Sequence, residues 1–224
     1  MGKGSVGVLT IGQAPRTDVT PSIQRILGSE TEIIEKGALD RLDVDSFHTV
    51  APDASDITYI SRVRNGGSVK MGKSKLLPLL QEERDMLEEQ TEVIIMLCTG
   101  DFPTLQGTKP IIYPDVELNQ AVHKVMPSGN LGLIIPLEEQ RDSLIEKWNH
   151  PEIKKLVEVA SPYEKSNIEG AARALKNRGA DLIVLDCMGY NEEHEKRAVN
   201  ASGLKVFLPR KVAAYAAKAH LNRL

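Results

Sequence analysis

"VIIMLCTG" at residues 93–100 and "LIVLDCMG" at residues 182–189 decide how this chain is read. Each is an unbroken apolar run that ends in cysteine, one further residue and glycine. A short apolar run without polar alternation is the pattern of a parallel strand covered on both faces. These are the chain's only 2 cysteines, so the pattern puts both thiols at the carboxyl ends of buried strands. In open parallel sheets, ligands bind beyond that end.

The surrounding sequence repeats the same grammar. Strands are expected at 6–12, 31–37, 92–97, 109–114, 130–136, 153–163, 180–186 and 204–209. Helical patterns separate them at 16–27, 75–90, 115–126, 137–148, 164–179, 191–202 and 210–224. Asp18 or Thr20 suits the start of the first helix and Pro21 its first turn, and Ser74 and Asp115 suit later helix starts. Residues 56–72 read as a β-hairpin that turns at Asn65-Gly66-Gly67. Strands alternating with helices predict parallel sheets with helices on both faces. "VGVLTIGQAPRTDVTPSIQRI" aligns loosely with "LGLIIPLEEQRDSLIEKW", and the two cysteine runs align with each other. The expected fold is therefore α/β, in two pseudo-symmetric parallel-sheet units. The first covers 1–112 and is completed by 205–224; the second covers 113–204.

Composition removes several function classes. The net charge is −3, so no basic field draws nucleic acid. Aromatics make up 4%, too few for base-stacking platforms. No apolar run approaches the roughly 20 residues of a membrane span. "MGKGSVGVLTIG" enters an apolar run at once and reads as a first strand, not a signal peptide. The expected location is cytoplasmic, where two cysteines are more often reduced thiols than a disulfide. No Cys-x-x-Cys and no histidine at ligand spacing accompanies either thiol, so no metal is expected.

Two thiols at matching strand ends suit proton transfer. One thiolate removes a proton from a substrate carbon; the other thiol returns one to the opposite face. Thr99, Gly100, Met188 and Gly189 then follow the two cysteines, where peptide N–H groups can cradle a carboxylate. Tyr190 can line the same place. Arg16 lies in the loop after the first strand and can take a carboxylate bidentately, with Thr10, Gln13 and Pro15 in the same stretch. Asp186 should point away from the thiol of Cys187, because side chains alternate along a strand. The structural alternative is that cysteine at a strand end is a small buried hydrophobe.

"GVLTIGQAPRTDVTP" (7–21), "MLCTGDF" (96–102), "LGLIIPLEEQ" (131–140) and "VLDCMGY" (184–190) resemble the AroM family of the Asp/Glu racemase superfamily. The resemblance covers nearly the whole chain. It implies two pseudo-symmetric α/β units with an active-site cleft between them, and cofactor-independent chemistry at the alpha carbon of a small carboxylate. Cys98 and Cys187 fall where such enzymes keep a catalytic pair. The resemblance departs from amino-acid racemases after Cys187, where Met188, Gly189 and Tyr190 stand in place of a polar Thr or His. The expected function is a racemase or epimerase without cofactor, acting on a small carboxylate or amino-acid-like substrate. The alternatives are a carboxylate-binding protein without turnover, and a decarboxylase or isomerase that uses one cysteine. A homodimer is the expected assembly.

Overall fold

The computed structural model describes residues 4–102, 105–163 and 165–223. The chain forms two compact units. The first comprises Met1–Cys98, Phe102–Tyr113 and Ala213–Leu224; the second comprises Thr99–Asp101 and Pro114–Val212.

The first unit opens with β1 (Ser5–Thr10), α1 (Thr20–Leu27) and β2 (Glu32–Gly37), followed by a 3₁₀ turn at Val44–Val50. The hairpin is β3 (Thr58–Arg62) and β4 (Ser68–Gly72), paired antiparallel, and α2 (Lys73–Glu88), β5 (Val93–Leu97) and β6 (Ile111–Ile112) follow. Four strands form a sheet in the order β2-β1-β5-β6, with every neighbouring pair parallel. All five residues of β5 are buried, which is why "VIIML" shows no alternation. Leu76, Leu80 and Leu87 of α2 pack with Leu9, Ile94 and Met96 of the sheet. Lys218 Nζ donates to the Ile26 carbonyl at 2.7 Å and ties the C-terminal helix to α1.

The second unit runs α3 (Pro114–Val125), β7 (Gly129–Ile135), α4 (Arg141–Glu146), β8 (Ile153–Val159), α5 (Ile168–Asn177), β9 (Leu182–Leu185), α6 (Glu192–Ser202) and β10 (Lys205–Phe207). α7 (Pro209–Leu221) begins here and continues into the first unit at Ala213. Its sheet has the order β8-β7-β9-β10, again all parallel. Both sheets thus place their strands second, first, third, fourth. β5 and β9 are the third strand of each, so Cys98 and Cys187 follow equivalent strands. The chain reverses direction across each sheet between first and third strand, and such a switch point is where open α/β sheets bind ligands.

Several expectations are corrected. The return to the first unit comes at Ala213, not residue 205, because β10 pairs with β9. α1 starts at Thr20, one of the two expected starts, and the Arg16 carbonyl accepts from the Val19 and Thr20 amides in the turn before it. α2 starts at Lys73 with Gly72 as its cap; Ser74 lies inside the helix and gives its hydroxyl to Asp56 Oδ2 at 2.6 Å. Asp115 is likewise inside the first turn of α3. The expected helix at 137–148 is a 3₁₀ turn, Glu138–Gln140, followed by the short α4. The expected helix starts at Ile168; Glu164 and Leu224, its and the last helix's expected outer ends, lie outside the described residues.

The hairpin packs directly on the loop after β1. A Cβ on Gly12 would sit 2.6 Å from Ser61 Oγ and would collide with the Arg62 carbonyl. Backbone cannot yield there without shifting the hairpin. Gly12→Ala is expected to cost about 2–3 kcal/mol, as forced overpacking does. The midpoint of urea unfolding measures it, and an unchanged midpoint would refute the close packing.

Candidate active site

In the first unit, Thr10 pairs with Leu97 across β1 and β5, so the chain at Cys98 continues beside the loop that leaves β1. That loop is braced from within. Arg16 is buried, with Nε and Nη2 on the two carboxylate oxygens of Asp18 at 2.8 and 2.9 Å. Its Nη1 donates to Thr10 Oγ1 at 3.1 Å and to Ser61 Oγ of the hairpin at 3.0 Å. Gln13 Nε2 donates to the carbonyls of Leu39 and Leu42 at 3.0 and 3.1 Å, and its Oε1 accepts from the Arg64 amide at 3.1 Å. Arg16 thus joins Thr10 to the hairpin, while Gln13 ties the same loop to Leu39, Leu42 and Arg64. The guanidinium offered by the sequence for a substrate carboxylate is here chelated by Asp18 of its own loop. Pro15 follows a cis peptide and is exposed on that loop. Cys98 is half-buried against the unit's core.

In the second unit, Thr99 and Gly100 are buried. Thr99 Oγ1 donates to the Asp186 carbonyl at 3.2 Å. Lys147, just past α4, bonds the Thr99 carbonyl and Asp186 Oδ1, both at 2.5 Å. Trp148 Nε1 donates to Asp186 Oδ2 at 3.0 Å. Asp186 and Lys147 side chains are 0% and 3% exposed. An ion pair this dry holds only when its remaining bonds are also made, and here the Thr99 carbonyl and the indole make them. Asp186 has the structural surroundings that strand alternation implies.

Cys187 opens a tight turn in which the Tyr190 amide donates to its carbonyl at 3.3 Å. The Gly189 amide points at its sulfur, 3.4 Å away. Arg210, buried at the start of α7, takes the Met188 and Gly189 carbonyls at 2.8 and 3.2 Å. Tyr163, from the loop after β8, brings its hydroxyl to 3.9 Å from the sulfur. Tyr190 is fully buried and donates to the Ala160 carbonyl at 2.7 Å; burial pushes its phenol well above the usual range. It therefore stays neutral and packs in the core with Ala198 and Leu208. Met188 is buried beside it. Among the described residues neither cysteine is in a disulfide.

Lys147, Trp148 and Tyr163 carried no signal in the sequence. Each reaches its partner from a loop whose course only the fold sets.

A separate pocket of about 350 Å³ lies against α3 and the end of α4, lined by Asp115, Asn119, His123, Lys147 and His150 among others. The His123 and His150 rings stack at 4.7 Å. Burial raises the Asp115 carboxyl above the ordinary range, against the opposing charge of Lys147. Neither cysteine lines it. Among the described residues no group of three or more His, Cys, Asp or Glu is placed to hold a metal, and no helix is long and apolar enough to cross a membrane.

A family model described as AroM protein matches residues 6–221. No curated protein matches the sequence. Among solved structures, a glutamate racemase isoform from Bacillus anthracis is 15% identical, with a TM-score of 0.66 over 100% of this chain and 83% of that one. Maleate cis-trans isomerase from Nocardia farcinica is 11% identical, with a TM-score of 0.63 over 98% and 92%. Unliganded arylmalonate decarboxylase is 9% identical, with a TM-score of 0.56 over 97% and 92%. Likeness at these identities is a likeness of fold, one shared with a racemase, an isomerase and a decarboxylase.

Proposed function

This chain belongs to the AroM family, and from that premise we propose that it is a cofactor-independent racemase, epimerase or related isomerase of small carboxylates. The observation that carries the reading is the placement of the chain's 2 cysteines after the third strand of two sheets with the same strand order.

Cys98 and Cys187 act as the proton-transfer pair. One thiolate takes the α-proton: the carbon–hydrogen bond breaks, a sulfur–hydrogen bond forms, and the electron pair moves into the carboxylate as an enediolate. The other thiol then protonates the opposite face and becomes the thiolate. Atoms and charge balance without an oxidant or a cofactor. A thiolate at neutral pH requires a pKa below the ~8.5 of an ordinary cysteine. Peptide N–H groups after each cysteine, at Thr99, Gly100, Met188 and Gly189, hold the carboxylate and the developing charge. Thr10, Gln13, Pro15 and Arg16 shape the loop beside Cys98. Arg16 acts there through its positive field and the loop's rigidity, since its donors already face Asp18, Thr10 and Ser61.

A second reading uses Cys187 alone, as a proton donor in decarboxylation or isomerisation. Its support is the turn around that sulfur, with the Gly189 amide and the Tyr163 hydroxyl directed at it.

The test is incubation of the purified chain with a panel of small amino acids, hydroxy acids and aryl- or alkyl-malonates in deuterium oxide, with no cofactor added. Deuterium at the alpha carbon together with loss of optical purity supports the pair. Release of carbon dioxide supports the single thiol. Ligand-dependent thermal stabilisation with neither event overturns both readings in favour of a binding protein.

A further inference from the structure

We propose that Tyr163 is a partner of the Cys187 sulfur: its phenol donates a hydrogen bond to the thiolate, and the turn around Cys187 is built to accept that ring. The inference rests on the reading of Cys187 as a functional thiol and adds a residue to it.

Three independent features converge on the sulfur. The Tyr163 oxygen stands 3.9 Å from Sγ, within the longer reach of hydrogen bonds to sulfur. The ring lies over Gly189, where a Cβ would come within 2.7 Å of its carbon and oxygen atoms. Glycine at 189 therefore makes room for the tyrosine as well as bringing its own amide to Sγ at 3.4 Å. Arg210 draws the Met188 and Gly189 carbonyls toward itself. With those dipoles turned to a buried cation, the Gly189 N–H is left to face the sulfur. Two donors around one sulfur favour its charged form over the neutral thiol.

Among the described residues, the titratable and charged groups near the turn include Asp186, Arg210, Tyr190 and His194. Asp186 lies one residue upstream on the strand side, and its carboxylate is paired with Lys147. Arg210 comes from α7. Tyr190 and, at its edge, His194 of α6 stand behind the turn. Burial, the neighbouring Arg197 and Arg210 all lower the His194 imidazole below its ordinary range. It is therefore neutral at pH 7 and places no positive charge behind the turn.

The experiment is alkylation of Cys187 against pH, read site by site by mass spectrometry, in the native chain, Tyr163→Phe and Tyr163→Met. Loss of one hydrogen bond to the thiolate is expected to cut the thiolate fraction at pH 7 about five-fold and to move the Cys187 profile to higher pH. Tyr163→Met must move it the same way. The Cys98 profile in the same samples stays put and reports that the variants are folded. A Cys187 profile unchanged in both variants overturns the inference and leaves the reading of the thiol intact. A Cys187 that is inert in the native chain until it unfolds overturns the inference and that reading together.

Discussion

If Cys98 and Cys187 are the proposed proton-transfer pair, Cys187→Ser and Cys98→Ser are each expected to reduce racemisation by roughly 10²–10⁴-fold, the usual worth of one positioned acid or base. Serine is close in size to cysteine but does not ionise near neutral pH, so the substitution removes proton transfer and little else. Both cysteines are half-buried, and the stability change should stay within about 1 kcal/mol. The two variants differ in a diagnostic way. On the proposed mechanism, with Cys98 replaced the Cys187 thiolate should still take the α-proton from one enantiomer, which would wash in deuterium without inverting. With Cys187 replaced, the opposite enantiomer should do so. Chiral chromatography coupled to mass spectrometry reads both quantities at once. Racemisation that survives within tenfold in either variant excludes the pair. Loss of activity only in Cys187→Ser points to the single-thiol reaction.

That asymmetry would have a structural basis that the sequence exposed only in part. The repeat of cysteine, one residue and glycine after two apolar runs was legible because buried parallel strands have no alternation and strand ends are marked by glycine. The equivalence of β5 and β9 follows from it, and the sheet orders bear it out. The hairpin was legible from Asn65-Gly66-Gly67 and forms as expected. Its purpose was not: Ser61 reaches Arg16 across 45 residues, and no local pattern encodes a partner at that distance. The same limit hid Lys147, whose partners at Thr99 and Asp186 are 48 and 39 residues away. Arg16 shows the converse. Its position beside a strand end suggested a ligand, yet the carboxylate it binds is Asp18, two residues on. Short-range charge pairs compete with substrate for the same guanidinium, and a sequence does not rank them.

Lys147→Met should be the most destabilising single change in the second unit, at about 3–5 kcal/mol. The substitution fills most of the lysine's volume, so its cost is electrostatic. Among the described residues it leaves the Asp186 carboxylate, 0% exposed, with only the Trp148 indole as a side-chain donor, and it removes the bond to the Thr99 carbonyl. Breaking one side of a buried pair is worse than removing both, because the stranded charge keeps its full desolvation penalty. Lys147→Met combined with Asp186→Asn should therefore recover roughly half of the loss, a coupling of about 2 kcal/mol, since asparagine is neutral and its side-chain oxygen still accepts from Trp148. Trp148 is the chain's single tryptophan, so its fluorescence in guanidinium titrations reports the unfolding of this network directly. Strictly additive losses in the double variant would mean that the lysine acts through packing alone. Recovery of stability would separate two roles of the network. The pair holds the turns at Thr99 and Asp186 in place, and a neutral replacement that restores the fold then shows, by the alkylation rate of Cys187, whether the charges matter to the thiol as well as to the scaffold.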